Sequence, residues 1–347
     1  MNIGVLCPSE IALRRFMPAL KEIDALDFVG IGVSTKEERF NKNLPIEKNW
    51  KEIIERDRKK ANFFIEQYGG KIFNGYAEII MSKEIDAIYI PLPPALHFQW
   101  SKLALEHGKH VLVEKPSTIF IADTQKLIDI ASKSELALHE NYMFVFHKQL
   151  EDISTIIKSG EIGDVRLYRI SFGFPRRAVN DFRYNKALGG GALIDAGGYT
   201  IKYAAMLLGK TAKIQYAQMN YIDEFDVDIF GSAALVNDRG VTAQIAFGMD
   251  NSYKCELEIW GSKGCLRTNR VLTAPVGFIP EATIYADENN KTYQLSQDDA
   301  FKKSIIKFLE CTHNHCARKN NYDSIMKQAE LVDEFYRLAT KHGNNYE

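Results

Sequence analysis

Five nearly uninterrupted apolar runs punctuate the first 144 residues: "NIGVL" (2–6), "LDFVGIGVS" (26–34), "IDAIYIPLP" (85–93), "KHVLVEKP" (109–116) and "LALHENYMF" (136–144). A strand with one face in water alternates apolar and polar residues. A strand covered on both faces, as when crossover helices lie above and below a parallel sheet, reads as continuously apolar. The intervening stretches supply such helices: "IALRRFMPALKEID" (11–24) has helical spacing despite Pro18, a charged segment runs over about 46–68, and further helices are expected at "NGYAEIIMS" (74–82), 95–107 and 121–134. Residues 1–141 are therefore expected to form a Rossmann doubly wound parallel sheet, making the chain an α/β protein.

Beyond about residue 150 the apolar period shortens to two. "VRLYRISFGF" (165–174), "KIQYAQMNYI" (213–222), "IFGSAALV" (229–236), "GVTAQIAFGM" (240–249), "KCELEIWGS" (254–262) and "GCLRTNR" (264–270) alternate between turns of Gly, Asn and Asp. One helix is expected at about 192–208, and amphipathic helices at about 298–317 and 322–342 close the chain. Residues 142–347 thus read as an α+β domain with a large, open, mainly antiparallel sheet. Helices on one face of such a sheet leave the other needing cover, which implies a homodimer or homotetramer assembled through the sheet.

Charge narrows the ligands. Lys and Arg (44) nearly cancel Asp and Glu (45) for a net −1, so no overall basic field attracts nucleic acid or an anionic membrane, and an anionic ligand must be gripped locally. The N-terminus lacks a basic region followed by a long apolar one, and no stretch approaches the length of a membrane span, so a cytoplasmic location is expected. The cysteines, Cys7, Cys255, Cys265, Cys311 and Cys316, are odd in number and scattered, against a disulfide framework. "CTHNHC" (311–316) crowds its ligand-type residues too closely for paired zinc knuckles, and no metal is expected.

In open α/β sheets ligands bind beyond the carboxyl ends of the strands. Glu114 and Lys115 emerge at such an end, and Pro116 stops the strand. Asn141 and His97 also occupy strand-end positions, with Pro91 and Leu92 close by. Where G-x-G-x-x-G/A would follow the first strand, the chain reads Cys7, Pro8, Ser9, Glu10, Ile11, Ala12, so only Ala12 conforms. The small Cys7 and Ser9 keep the turn narrow, Pro8 suits negative φ, and the helix start can still offer N–H groups to a pyrophosphate.

Together, "HVLVEKP" (110–116), "YIPLPPALH" (89–97), "ENYMF" (140–144), "GEIGDV" (160–165) and "GGGALIDAGGY" (189–199) resemble the glucose-fructose oxidoreductase, inositol dehydrogenase and rhizopine-catabolism (Gfo/Idh/MocA) oxidoreductases, in order and over nearly the whole chain. "DFRYNKALGGGALIDAGGY", "GVTAQIAFGM" and "NRVLTAPVGF" look most like the sugar-nucleotide ketoreductases of deoxysugar biosynthesis, which reduce a keto group at carbon 3. The resemblance implies a nicotinamide cofactor, Lys115 beside the reacting carbon, and Glu114 as its neighbour at the cofactor. Many members carry Asp-x-x-x-His after the glycines. Here Asp195 is followed by Tyr199 in the histidine's place, a departure the sugar-nucleotide ketoreductases share. The i, i+4 spacing sets Asp195 and Tyr199 on one side of a helix.

Ser34, Thr35 and Lys36 end the second strand where an NAD enzyme would show an acid for the ribose hydroxyls, so NADP(H) is favoured. Two donors are open for the proton that follows hydride delivery: Lys115 polarising the ketone while the Tyr199 phenol donates, or Lys115 alone. Asp195 would orient Lys115 or contact a sugar hydroxyl, and Arg176, Arg177, Arg183 and Lys202 are candidates for the substrate diphosphate. Two alternatives stand beside this one: a dehydrogenase of a free sugar, inositol or dihydrodiol, and a non-catalytic NADP-sensing regulator.

Overall fold

The computed structural model describes residues 1–39, 49–286 and 290–343. It forms two compact units, Met1–Asn141 with Ser304–Met326, and Tyr142–Lys303 with the chain from Lys327 onward.

The first unit holds a six-stranded parallel sheet: β1 (Asn2–Leu6), β2 (Asp27–Gly32), β3 (Lys71–Phe73), β4 (Ala87–Ile90), β5 (His110–Glu114) and β6 (Leu138–Asn141), in the order β3-β2-β1-β4-β5-β6. Ile3, Val5, Ile88, Ile90, Val111 and Val113 are wholly buried, the packing that continuous apolar runs require. The order reverses between β1 and β4, where doubly wound sheets open a crevice beyond their strand ends. β3 has three residues, too few for a periodic signal, and is held by pairing of Ile72 with Ile31.

The expected helix over 11–24 is irregular. A π turn spans Ala12–Phe16 and passes into a short α-helix, Met17–Leu20. Pro18 has no N–H for the carbonyl four residues back and its ring would crowd that carbonyl, which the wider turn accommodates. The charged helix spans Trp50–Tyr68, and the first residues of its expected range lie outside the described ones. β6 is an edge strand, and the carbonyls of Leu136, just before it, and Leu138, its first residue, accept from Tyr322 Oη and Asn321 Nδ2, so the segment 304–326 covers polar groups that an edge otherwise exposes.

The second unit holds a nine-stranded sheet: β7 (Val165–Gly173), β8 (Lys213–Tyr221), β9 (Asp228–Val236), β10 (Thr242–Gly248), β11 (Lys254–Gly261), β12 (Cys265–Asn269), β13 (Glu281–Tyr285), β14 (Asn290–Gln294) and β15 (Thr340–His342). Neighbours are antiparallel except β7 with β10 and β8 with β15. The last three strands were not anticipated; β15 is exposed along its length and carries no apolar alternation. On β7 and β10, Tyr168, Ile170, Phe172, Ala243, Ile245 and Phe247 are buried, whereas Arg169, Gln244 and Ala246 face outward. The helix Gly198–Leu208 and Phe335, whose ring lies 5.6 Å from that of Phe247, belong to the same unit.

"CTHNHC" falls where the helices Ala300–His313 and His315–Leu338 meet. Cys311 is buried, His313, His315 and Cys316 are exposed, and Asn314 Oδ1 accepts from the Ala317 N–H (3.0 Å) as a helix cap. Among the described residues no group of His, Cys, Asp and Glu could hold a metal ion, and no helix is long and apolar enough to cross a membrane.

Candidate active site

The turn after β1 keeps the geometry of a dinucleotide loop without its glycines. Cys7 has φ 74, the left-handed conformation for which glycine is normally chosen and which costs other residues about 1–2 kcal/mol. Its N–H donates to Gly32 O (3.0 Å), anchoring the turn to β2. Ser9 caps the following turn, its Oγ accepting from the Ala12 N–H (3.2 Å) and its carbonyl from the Leu13 N–H (3.0 Å). Burial pushes the Cys7 thiol up to about 11, so it is neutral near pH 7 and serves the turn rather than any nucleophilic chemistry. Glu10 is exposed, 3.8 Å from Lys60. The backbone path thus fits a pyrophosphate at the helix start even though the motif is eroded.

At the end of β2, Thr35 and Glu38 form a reciprocal cap: the Thr35 N–H donates to Glu38 Oε2 (2.9 Å) and the Glu38 N–H to Thr35 Oγ1 (3.2 Å). Glu38 also accepts from the N–H groups of Tyr76 and Ala77, both at 2.8 Å. Its carboxylate is therefore committed to the backbone. Lys36 Nζ lies 4.7 Å above the Trp50 ring, Ser34 is buried, and Arg39 pairs with Asp57 at 2.6 Å. This set of hydroxyls and cations, its nearest acid already engaged, fits a ribose 2′-phosphate better than a 2′-hydroxyl.

At the ends of β4, β5 and β6, Glu114 Oε1 accepts from Tyr89 Oη and Asn141 Nδ2, both at 2.7 Å. Burial raises the Glu114 pKa against the lowering effect of those two donors. Asn141 Oδ1 accepts from Ser304 Oγ (2.8 Å), and Ser304 Oγ lies 2.9 Å from His139 Nε2. Lys115, beside Glu114, is half-buried. Tyr89, His139 and Ser304 escaped the sequence reading; Tyr89 lay within a quoted motif, but Ser304 is distant in sequence and has no motif of its own. His97 is a tie between loops: its Nδ1 and Nε2 each lie 2.7 Å from a carbonyl oxygen, that of Pro116 and that of Leu92. Burial pushes its pKa down to about 4, so the neutral ring carries one proton and donates to one of the two carbonyls. His97 thereby holds Leu92, with its buried neighbour Pro91, against the segment that follows Lys115.

In the second unit, the glycine-rich stretch leads into a π turn over Leu193–Gly197 and then the helix Gly198–Leu208. Asp195 sits inside the π turn and Tyr199 just beyond it. Gly191 has φ 123, and a Cβ there would collide with the Asp228 carboxylate. Asp228, buried, accepts from the Leu193 N–H (2.7 Å) and so fixes the start of the turn that carries Asp195.

Burial pushes the Asp228 pKa from 3.8 up to about 7, outweighing its backbone donors. A carboxyl with a raised folded-state pKa favours folding below its unfolded value and loses that contribution as pH rises through the folded value. The stability of the parent relative to Asp228→Asn should thus be greatest below pH 3.8 and shrink by up to about 4 kcal/mol as pH rises past about 7. Urea unfolding of both proteins across that range checks this, and a gap that stays constant with pH refutes it.

Tyr199 is buried in an aromatic cluster, its ring 5.2 Å from that of Tyr142, 5.6 Å from Phe144 and 5.3 Å from Phe172. Gly198 allows this packing, since a Cβ there would strike the Tyr142 hydroxyl. Lys202 is buried with Nζ 5.7 Å from the centre of the Tyr142 ring. Asp195 Oδ2 accepts from Arg183 Nε (2.6 Å), and Asp181 lies 3.0 Å from Arg183 Nη1. Arg176 is likewise held by two carboxylates, Glu224 (2.6 Å) and Asp250 (2.9 Å). Arg177 is exposed and stacks over Phe174 at 5.2 Å. Among the cations expected at a diphosphate, Arg176 and Arg183 are thus each held by two carboxylates.

A family model described as "Oxidoreductase family, NAD-binding Rossmann fold" matches residues 27–142, and one described as "GFO/IDH/MocA C-terminal domain" matches residues 150–267. A dTDP-3,4-didehydro-2,6-dideoxy-alpha-D-glucose 3-reductase from Actinomadura kijaniata is 33% identical over 96% of this chain and 94% of its own. The reductase of the same name from Streptomyces violaceoruber is 33% identical over 98% and 95%. Among solved structures, a 3-ketoreductase from Actinomadura kijaniata in complex with NADP and TDP-benzene superposes with a TM-score of 0.89 at 32% identity, covering 99% of each chain.

Proposed function

This chain belongs to the Gfo/Idh/MocA oxidoreductase family, and from that premise we propose that it is an NADPH-dependent reductase of a keto group, at carbon 3, on a nucleotide-linked deoxysugar. The observation that carries this reading is Tyr199 in the position where many family members have histidine, within a chain about one-third identical from end to end to sugar-nucleotide 3-reductases.

When bound, NADPH supplies the hydride to the carbonyl carbon. Ser9 and the turn at Cys7 shape the seat of its pyrophosphate, Ser34, Thr35 and Lys36 receive its 2′-phosphate, and Glu114 and Asn141 line its nicotinamide end. Lys115 places an ammonium against the carbonyl oxygen and stabilises the charge that develops there. Tyr199 donates the proton that completes the alcohol, helped by a cation that eases loss of the phenolic proton. Arg176, Arg177, Arg183 and Lys202 are the side chains proposed for the substrate diphosphate. The test is to incubate the purified protein and NADPH with 3-keto sugar nucleotides made in situ, following absorbance of the reduced cofactor and the mass of the product. Consumption of NADPH with a gain of two hydrogens on the sugar is expected; turnover of free sugars alone would overturn the reading.

NADPH should bind at least ~10-fold tighter than NADH, because one contact between phosphate and ammonium is enough for ~1.4 kcal/mol. Lys36→Asp should narrow the gap. Calorimetric titration of both cofactors decides it, equal affinities in the parent being the adverse result.

The outer face of the nine-stranded sheet carries a row in which Arg169 Nη1 and Arg267 Nε both donate to Glu258, at 3.1 and 2.7 Å, with Tyr216, Phe230, Trp260 and Tyr285 exposed on the same face. Exposed aromatic rings beside ordered arginines are the composition of an interface, and this face is assigned to a homodimer or homotetramer. Light scattering should give a multiple of the 39.5 kDa chain mass, with Trp260→Glu shifting it to the monomer. A monomeric parent at micromolar concentration would exclude the assembly.

A further inference from the structure

Buried hydrogen bonds can be assigned a direction when one member is an acceptor only. Here that member is the Glu114 carboxylate. With Oε1 accepting from Tyr89 Oη at 2.7 Å, the Asn141 side chain 2.7 Å away must present its amide nitrogen to the same oxygen. Asn141 Oδ1 then faces Ser304 Oγ at 2.8 Å, so the single hydroxyl proton of Ser304 goes to Asn141. Ser304 Oγ is left as an acceptor toward His139 Nε2 at 2.9 Å, which fixes the Nε2–H form of that ring. Every proton in the chain points toward Glu114. Ser304 and His139 are wholly buried and Asn141 nearly so, so water cannot substitute for a lost partner without entering the core.

We infer that Ser304 is a positioning residue for the nicotinamide end of the site, acting by holding the Asn141 amide in the orientation that Glu114 requires. An asparagine amide has nearly the same shape when its oxygen and nitrogen exchange places, so shape alone does not select the orientation. Glu114, an acceptor only, selects it, and Ser304 holds it by donating its hydroxyl proton to the amide oxygen. In the exchanged orientation Asn141 Oδ1 confronts the Glu114 carboxylate, and the carboxylate loses one of its two side-chain donors next to Lys115. Ser304 lies in the helix Ala300–His313, 163 positions from Asn141, in the segment that the chain contributes to the first unit between β14 and β15 of the second unit's sheet. The dinucleotide unit is therefore finished by a hydroxyl from far along the chain.

The inference rests on the proposed cofactor site, and its test needs no sugar substrate. Binding of NADPH is compared with that of 2′,5′-ADP, which shares the adenosine and 2′-phosphate but lacks the nicotinamide. Ser304→Ala should weaken NADPH about tenfold, the size expected when one hydrogen bond to a charged group is disordered, while changing 2′,5′-ADP by less than about twofold. Ser304→Thr, which keeps the hydroxyl, should restore the parent ratio. Asn141→Ala should weaken NADPH at least as much, and adding Ser304→Ala to it should change little further, because the two act through one contact. Should Ser304→Ala fail to fold, Ser304→Cys, of similar size with a weak donor, should give an intermediate ratio. An unchanged ratio in Ser304→Ala or Ser304→Cys, or equal losses for both ligands, overturns the positioning role. A parent that binds neither ligand overturns the cofactor site itself.

Discussion

Lys115→Met is expected to lower turnover by ~100-fold or more while NADPH binding stays measurable, because removing a group aimed at developing charge carries a cost of that size. Methionine keeps most of the length and apolar volume of the lysine stem, so the change isolates the ammonium. The substitution sits beside Glu114, whose carboxylate remains held by Tyr89 and Asn141 at 2.7 Å, so the local fold should persist. Stopped-flow reduction of a 3-keto sugar nucleotide reads the chemical step, and fluorescence of bound NADPH reads cofactor affinity. A variant that turns over at the parent rate removes Lys115 from the chemistry. A parent that binds NADPH and reduces no ketone favours the regulatory alternative.

Tyr199→Phe is expected to lower turnover by a similar ~100-fold with little change in substrate affinity, since a proton donor acts in the transition state rather than in binding. The ring stays in its cluster with Tyr142, Phe144 and Phe172, and only the hydroxyl is lost. The pH dependence gives the second reading. A donor must be protonated to act, so reduction by the parent should decline at high pH, and that limb should move in the variant. Retention of both the rate and the alkaline limb would make Tyr199 a packing residue and leave Lys115 as the proton donor.

The two substitutions probe residues that local sequence made visible. Lys115 stands between an apolar run and a proline, and Tyr199 follows three glycines and an aspartate; both signals lie within a dozen residues. The residues that support them were hidden for a common reason. Glu38 looked like one acid among several, and only the fold reveals that it caps two helix starts at once. Asp228 is one of many aspartates in the chain, at the start of β9, yet it anchors Leu193 from 35 positions away. At Cys7 the opposite occurred: the motif was missing its glycine while the backbone kept the left-handed turn that glycine would make. Residue identity at such a position reports conformational cost rather than conformation, and about 1–2 kcal/mol is a cost that the surrounding sheet can offset.

By itself, the order of residues determined the two architectures, because apolar periodicity is a local property: continuous runs need cover on both faces, and alternating ones need it on one. It also located Glu114, Lys115 and Asn141 at strand ends, since the end of an apolar run marks the end of a strand. Tertiary structure alone decided the direction of the hydrogen bonds around Glu114, the commitment of Arg176 and Arg183 to carboxylates, and the π turn that carries Asp195. Those features depend on which side chains meet across tens to hundreds of positions. Such meetings are set by the packing of whole elements, and no local pattern in the chain encodes them.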